Sequence, residues 1–455
     1  MKIINLTKET KQDILSSLLK RSPNNYSQYE KTVSEIIENV KENKDAAVCA
    51  YTKQFDGFDL TSQNIRVTEE EIKEAISSMD AEFVAVMEKS AANIREYHEK
   101  QKRNSWFDAK EDGTILGQKV TPLEKVGIYV PGGKAAYPSS VLMNAIPAKV
   151  AGVDKIVMTT PCNKEGKVNP GTLAAAKVAG VDEIHVTTPT FEKNNITFAT
   201  LYLLGVENVY QVGGAQAIAA LAYGTETIPK VDKIVGPGNA YVAAAKKLVF
   251  GDVGIDGVAG PSEILIYIDD TVDIDAVTYD IFAQAEHDPN ARTFLLSEDQ
   301  RVVDKVAQRM EELLDEQPRK EIIKKSVANH HYAIVDTREN LLAILNEIGA
   351  EHVSIQHADQ DAIVEGIDFA GAVFKGKYTP EAIGDYIAGP SHVLPTDGTA
   401  RFTHGLNAND FQTSHAVIAL DKKTYQKIVD PAMLIADREQ LFAHYDSLRV
   451  RKEED

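Results

Sequence analysis

The chain has 455 residues, 43% hydrophobic and 26% charged, with a formal net charge of −19. That length supports two or three buried cores, and the negative charge argues against nucleic acid or an anionic membrane surface as principal partner. Cys49 and Cys162 are too few and too isolated for a disulfide framework or a thiolate metal site, so a reducing cytoplasm is the expected location.

The amino-terminal stretch Met1–Glu9 lacks an apolar core of signal-peptide length, and no run approaches the length of a bilayer span. Up to about residue 104 the pattern is helical. Apolar positions recur at three and four over Gln28–Phe55 and Glu69–Arg103, with charges between them.

From about Val120 the texture becomes apolar strands, glycine turns and alanine-rich helices. Val126–Val130 runs into Pro131-Gly-Gly133 and a helix over Ser140–Val150; Lys155–Thr159 is a second strand. Asn208–Val212 meets Gly213-Gly-Ala-Gln216 and the helix Ala217–Tyr223. Lys233–Val235 meets Gly236-Pro-Gly-Asn239 and the helix Ala240–Val249. This alternation predicts a parallel sheet with crossover helices. An internal repeat accompanies it: Val150–Pro161 recurs as Val178–Pro189, with a looser third copy over Leu204–Gly214. The copies read as successive αβ units of one sheet and are too few for a solenoid.

A second αβ region starts near Pro261. Strands are expected over Glu263–Ile268, Arg292–Leu296, His331–Val335 and His352–Ile355, with helices over Asp275–Glu286, Gln300–Gln317 and Arg338–Ile348. After Pro395 the chain reads as loop, short strand and helices, ending in a frayed tail over Arg451–Asp455. The expected architecture is α/β, with two Rossmann-like αβα domains and a cleft between them, plus a helical amino-terminal and a small carboxy-terminal segment. Ligands of such sheets bind beyond the carboxyl ends of the strands.

Three groups of residues carry candidate chemistry. The glycine turns let backbone N–H groups approach phosphate at helix N-termini. None matches GxGxxG, so the usual pyrophosphate loop is not supported. With Tyr129, Gln216 and Asn239 beside them, they form a candidate nucleotide or substrate rim. Gln284 and His287 are three apart near a helix end and share a face, half of a metal site if a carboxylate and another imidazole join them. Candidates occur at Gly384-Asp385-Tyr386 and at His444, but the chain also carries His330, His331, His357, His392, His404 and His415. Spacing does not choose among them. Glu351-His352 is a candidate acid/base dyad at a strand start, where an irregular backbone could bring both side chains to one cleft.

Together these segments resemble the histidinol dehydrogenase family. The resemblance rests on Val126–Gly133, Val212–Glu226, Lys233–Asn239, Ala259-Gly-Pro-Ser262-Glu263, Gln284–Asp288, Glu351-His352, Gly384–Tyr386, His392–Thr396 and the Glu439…Ala443-His444 block, in the family's order. It implies oxidation of L-histidinol through histidinaldehyde to L-histidine, with two NAD reductions, at the end of histidine biosynthesis. It further implies one zinc ion per subunit held by Gln284, His287, Asp385 and His444. Substrate would contact Ser262, Gln284, His287, His352, Asp385, Glu439 and His444. NAD would be lined by Tyr129, Gln216 and Asn239, and Glu351 and His352 would transfer protons. An intertwined homodimer is implied, with Glu439 and His444 acting in trans.

The implied domains are a helical region over 1–119 packing on the second αβ domain, a first αβ domain over 120–260, a second over 261–395, and a dimer-exchange segment over 396–455. Two departures stand out. The block from 161 to 206 looks longer than the family's by one αβ unit. Ser391 also stands where many members have Asn, and Phe411–His415 lacks a basic residue often found there. A paralogous zinc- and NAD-dependent dehydrogenase of another polar alcohol, or a non-catalytic metal- or nucleotide-binding homologue, stays open on sequence alone.

Overall fold

A computed structural model describes residues 2–5, 26–61, 65, 80–131, 138–161, 172, 175, 178–179, 181, 183–184, 209–210 and 212–452. Cys162, Gly132-Gly133 and most of the extra αβ unit expected over 161–206 lie outside the described residues. The chain divides into two compact units: Met1–Gln101 with Leu123–Phe411, and Lys102–Pro122 with Gln412–Asp455. No described helix is long and apolar enough to cross a membrane.

In chain order the elements begin with β1 (Lys2–Asn5), α1 (Ser27–Asp56), α2 (Ala81–Glu99), β2 (Trp106–Ala109) and β3 (Ile115–Pro122). The first αβ body follows with β4 (Lys125–Tyr129), α3 (Pro138–Ala151), β5 (Lys155–Thr159), β6 (Glu183–Ile184), β7 (Val209–Tyr210), α4 (Gly214–Tyr223), β8 (Lys233–Val235), α5 (Ala240–Val249) and β9 (Gly254–Ile255). Its strands are all parallel, in the order β6-β5-β4-β8-β9, with β7 on β5.

The second body carries β10 (Glu263–Ile268), α6 (Ile274–Ala285), β11 (Arg292–Ser297), α7 (Gln300–Leu313), α8 (Lys320–His330), β12 (His331–Val335), α9 (Arg338–Ile348), β13 (His352–Gln356), α10 (Gln360–Glu365), β14 (Ala372–Lys375) and α11 (Glu381–Tyr386). Its sheet is also parallel, β1-β12-β11-β10-β13-β14. The smaller unit is antiparallel: β15 (Gln412–Ala419) pairs β3, which pairs β2, followed by α12 (Lys422–Arg438) and α13 (Phe442–Lys452).

Strand β10 shows why the second body reads as continuous apolar runs. Ile264, Ile266 and Ile268 enter one core with Val277, Ile281 and Val303, while Leu265 and Tyr267 enter the other with Leu341, Leu345 and Ile363. Both faces of a parallel sheet are covered by helices, so alternation disappears. Each such fully buried aliphatic side chain contributes about 1.5–3 kcal/mol. The helix starts are marked locally: Asp273 accepts from the Asp275 and Ala276 N–H groups at α6, and Thr337 caps α9.

Three expectations need correction. Helices α1 and α2 pack on the first αβ body, not the second: Val33, Ile37 and Val48 share a core with Ile218 and Leu221, and Ile94 shares one with Ile146. The amino terminus also supplies a strand, β1, to the second sheet, so the region before 119 is not wholly helical. The carboxy-terminal boundary falls at Gln412 rather than 396, because residues up to Phe411 stay with the larger unit and Phe411 is buried in the first body's core.

His331, the first residue of β12, is buried with Nδ1 2.6 Å from the Thr293 hydroxyl. Burial pushes its imidazole down to about 3. Between the unfolded value near 6.5 and that folded value, the unfolded chain binds a proton that the folded chain does not, so stability falls as pH falls, by about 1.4 kcal/mol per unit. His331→Leu is therefore expected to reduce the stability lost between pH 6.5 and 5 by about 2 kcal/mol, measured by urea denaturation at each pH.

Candidate active site

The chemistry-bearing residues of the second body gather at the amino-terminal edge of its sheet. Glu263, Arg292 and His352 are the first residues of β10, β11 and β13, and Glu351 immediately precedes β13. In-register parallel pairing places these starts side by side. Glu351 Oε2 accepts the Glu263 N–H at 2.9 Å, and Arg292 Nη1 lies 2.8 Å from Glu263 Oε1. The same Nη1 pairs with Asp397, whose positive φ of 56° turns the loop after Thr396 toward it.

His352 Nδ1 lies 3.0 Å from the Glu263 carbonyl, 3.6 Å from Glu381 Oε1 and 3.7 Å from Glu351 Oε2. A carbonyl only accepts, so Nδ1 carries the proton and donates to it. One end of the Gln284 amide lies 3.1 Å from the same carbonyl, from Glu381 Oε1 and from His352 Nδ1; facing two acceptor oxygens, it is assigned as Nε2, with one hydrogen to the carbonyl and the other to Glu381 Oε1. With Nδ1 as the donor, His352 Nε2 keeps its lone pair. Among the described residues, that buried nitrogen has no hydrogen-bond partner.

Burial pushes the His352 imidazole down to about 3, with His287 and His392 adding to the effect, so the ring is neutral at physiological pH. Burial raises the Glu351 and Glu381 carboxyls well above the usual range, and neighbouring carboxylates push the same way. Asp385 is raised by burial and drawn back by His287; His287 is lowered by desolvation and drawn back by Asp385. His392 spans Ser140 Oγ at 3.3 Å and the Asp385 carbonyl at 3.2 Å, and burial brings it to about 4.

Two structural details bring Asp385 into the group. Glu381 and Asp385 are four apart on the short helix α11 and share its face. Gly384 lets that helix close on Phe374, since a Cβ there would sit 2.6 Å from the ring. Ligand atoms of His352, Glu381 and Asp385 all lie within 4.8 Å of one another, the one such grouping of three among the described His, Cys, Asp and Glu residues. Gln284 touches its His352 and Glu381 members. Beside this cluster the buried Gln284 amide and the interacting His287–Asp385 pair offer nitrogen and oxygen donors of the kind that zinc prefers.

Of the other expected residues, His287 interacts electrostatically with Asp385 and His352. His287 lies beyond the end of α6, its N–H donating to Gln284 O at 3.3 Å, so the pair shares a turn rather than a regular helix. Ser262 is half-buried, and its carbonyl accepts from Arg292 N at 2.9 Å. Glu439 and His444 belong to the smaller unit, where both are exposed around the α12–α13 turn at Gln440 (φ 59°).

The expected cofactor rim lies in the first body. Buried Tyr129 ends β4; its hydroxyl accepts the Gly214 N–H at 3.2 Å, and burial pushes it up to about 12. Gln216 is buried in the first turn of α4. Asn239 caps α5 through Oδ1, which accepts from Tyr241 and Val242 N–H. Gly236 has a φ of 114°, and a Cβ there would sit 2.0 Å from the Tyr129 carbonyl, so no other residue fits. A buried Lys246 ties the same turn: its Nζ donates to Gly236 O at 3.0 Å and pairs with Asp256, whose Oδ2 accepts the Gly236 N–H. Two helix N-termini behind glycine turns, at the carboxyl edge of a parallel sheet, suit a pyrophosphate.

Sequence reading did not single out Glu263, Arg292, Glu381 or Asp397. A carboxylate opening an otherwise apolar strand was the available signal at Glu263. The acid four residues before Asp385 was the signal at Glu381.

A family model described as histidinol dehydrogenase matches residues 19–185 and 173–452. The chain is 47% identical to histidinol dehydrogenase of Geobacillus kaustophilus over 93% of its length and 94% of the relative's. It is 44% identical to that of Bacillus subtilis, over 93% of both chains. The crystal structure of histidinol dehydrogenase from Elizabethkingia anophelis superposes with a TM-score of 0.87 at 33% identity, covering 99% of this chain and 98% of that one.

Arg292 supplies the cation between two buried carboxylates, Glu263 and Asp397, with side-chain exposures of 0% and 3%. Arg292→Met strands both, and a broken buried pair costs about 3–5 kcal/mol. The expected outcome is a lower urea midpoint together with lost turnover, because the strand starts that hold Glu351 and His352 lose their anchor.

Proposed function

The chain belongs to the histidinol dehydrogenase family, and on that premise we propose how its residues serve the NAD-dependent oxidation of L-histidinol to L-histidine. As a member of that family it is an oxidoreductase of histidine biosynthesis. In our reading one zinc ion per subunit is held by Gln284, His287, Asp385 and His444, and the cytoplasm is the site of action. Held there, zinc would supply a redox-inactive Lewis acid suited to the nitrogen donors of the substrate. Glu439 and His444 come from the second copy of an intertwined homodimer, which accounts for their exposed position on the smaller unit.

The observation that carries this reading is the neutral His352, with Nδ1 tied to the Glu263 carbonyl and Nε2 unpartnered, next to Glu351 on the edge that also presents Gln284 and Asp385. In the first oxidation His352 Nε2 accepts the hydroxyl proton while the carbon-bound hydride goes to NAD. In the second, Glu351 takes a proton from water as its oxygen adds to the aldehyde carbon, and hydride leaves the hydrate for another NAD. The two steps release two NADH. Ser262 and Glu439 hold the substrate, and Tyr129, Gln216 and Asn239 line NAD. Fixing the reacting carbon against the nicotinamide contributes several kcal/mol through proximity, on the order of 7–11 at best. Keeping the aldehyde bound limits loss of a reactive intermediate.

His352→Asn is expected to lower kcat by about 10²–10⁴-fold, the usual range for a lost general base, with zinc content at the wild-type level. His287→Ala is expected to strip the metal, a ligand effect rather than a proton-transfer one. Metal analysis beside an NADH assay separates the two variants. Metal-replete wild type that fails to turn over histidinol would end this reading.

A further inference from the structure

Glu381 is buried at 3% exposure against Gln284 and His352, yet no proton-transfer step above uses it. Burying a carboxyl beside other carboxyls is costly unless it satisfies a partner. The partner is the Gln284 amide. The two ends of that amide are nearly alike in shape, but only the oxygen can ligate a cation. The Glu263 carbonyl and Glu381 Oε1, each 3.1 Å away, accept the two hydrogens of Nε2. The Glu263 carbonyl also accepts from His352 Nδ1 at 3.0 Å, so its two lone pairs are filled. One amide hydrogen therefore depends on Glu381 alone. A carboxyl oxygen accepts it whether or not the group is ionised.

We propose that Glu381 is a positioning residue that fixes the Gln284 amide with its nitrogen inward, leaving Oε1 to serve as the metal ligand. The inference rests on the zinc reading above. It assigns Glu381 a place behind the metal rather than on it. Partners of this kind, which orient a ligand without touching the cation, change metal affinity by about 10- to 100-fold when removed. An amide needs such a partner more than a carboxylate does, because the two carboxylate oxygens are equivalent.

The test is zinc affinity, measured by competition with a chromophoric chelator on the full chain. Glu381→Leu is expected to weaken zinc binding by about 10- to 100-fold. Glu381→Gln, whose amide oxygen still accepts from Gln284, is expected to restore most of it. In a Gln284→Glu background, Glu381→Leu is expected to cost nothing, since no amide remains to be oriented. Glu381→Met provides a second non-accepting variant should the leucine variant not fold. Unchanged affinity in Glu381→Leu or Glu381→Met overturns the proposal while leaving the zinc reading intact. An equal loss in both backgrounds, or no recovery with Glu381→Gln, overturns it by making Glu381 itself a ligand or a packing element. Wild type that binds no zinc overturns both.

Discussion

Glu263 uses all of its polar groups at once. Its N–H holds Glu351, its carbonyl holds His352 and its carboxylate holds Arg292. A single residue at the start of β10 thereby sets the position of the dyad, the tautomer of its imidazole and the cation that ties the edge to Asp397. The register of β10 with β13 makes this possible, because Ile264 pairs with His352 and brings the two strand starts together. Sequence-adjacent Glu351 and His352 would point apart on a regular strand. They converge because Glu351 lies just outside the strand and its carboxylate is held by the Glu263 N–H of the neighbouring strand β10.

Electrostatics in this region follow from burial. Glu351, Glu381 and Asp385 are raised first by desolvation; Glu351 is then raised by Glu263, Asp385 and Asp397, and Glu381 by Asp385, Glu351 and Asp280. The imidazoles of His352 and His392 are lowered by the same desolvation. Groups of both kinds are thus pushed toward neutrality in the protein alone. A divalent cation bound among them inverts that logic, stabilising carboxylates and keeping imidazoles deprotonated as ligands. The site is costly to maintain without metal, and on the zinc reading that cost favours metal uptake.

The two αβ bodies were legible because their strands are short apolar runs between glycine turns. Lys155–Thr159, Lys233–Val235, Glu263–Ile268 and His331–Val335 fall where the pattern placed them. The antiparallel sheet was not legible, because β2 and β15 are mostly exposed and carry no sustained apolar alternation. Strand β1 was hidden by its length: Lys2–Asn5 is too short to signal itself and pairs with a strand more than three hundred residues away. The same distance problem hid half of the site. Glu263, Arg292 and Asp397 read locally as a strand edge, another strand edge and a turn. Only the fold shows them as one ion-paired group, with Arg292 and Asp397 separated by 105 positions.

The two sheets present opposite edges for use. In the first body the glycine turns before α4 and α5 stand at the carboxyl edge of the strands, the usual place for a ligand in such folds. In the second body the candidate site residues Glu351 and His352 stand at the amino edge. Its carboxyl edge has a cavity of its own, of about 560 Å³, lined by Asp269, Asp270, Glu298, Asp299 and Asp359 with Arg301 and His357. Five carboxylates against one guanidinium repel a dinucleotide. On the proposed reading, charge therefore favours the first body for NAD, while the candidate acid/base residues of the second gather where strand starts, not strand ends, supply the side chains.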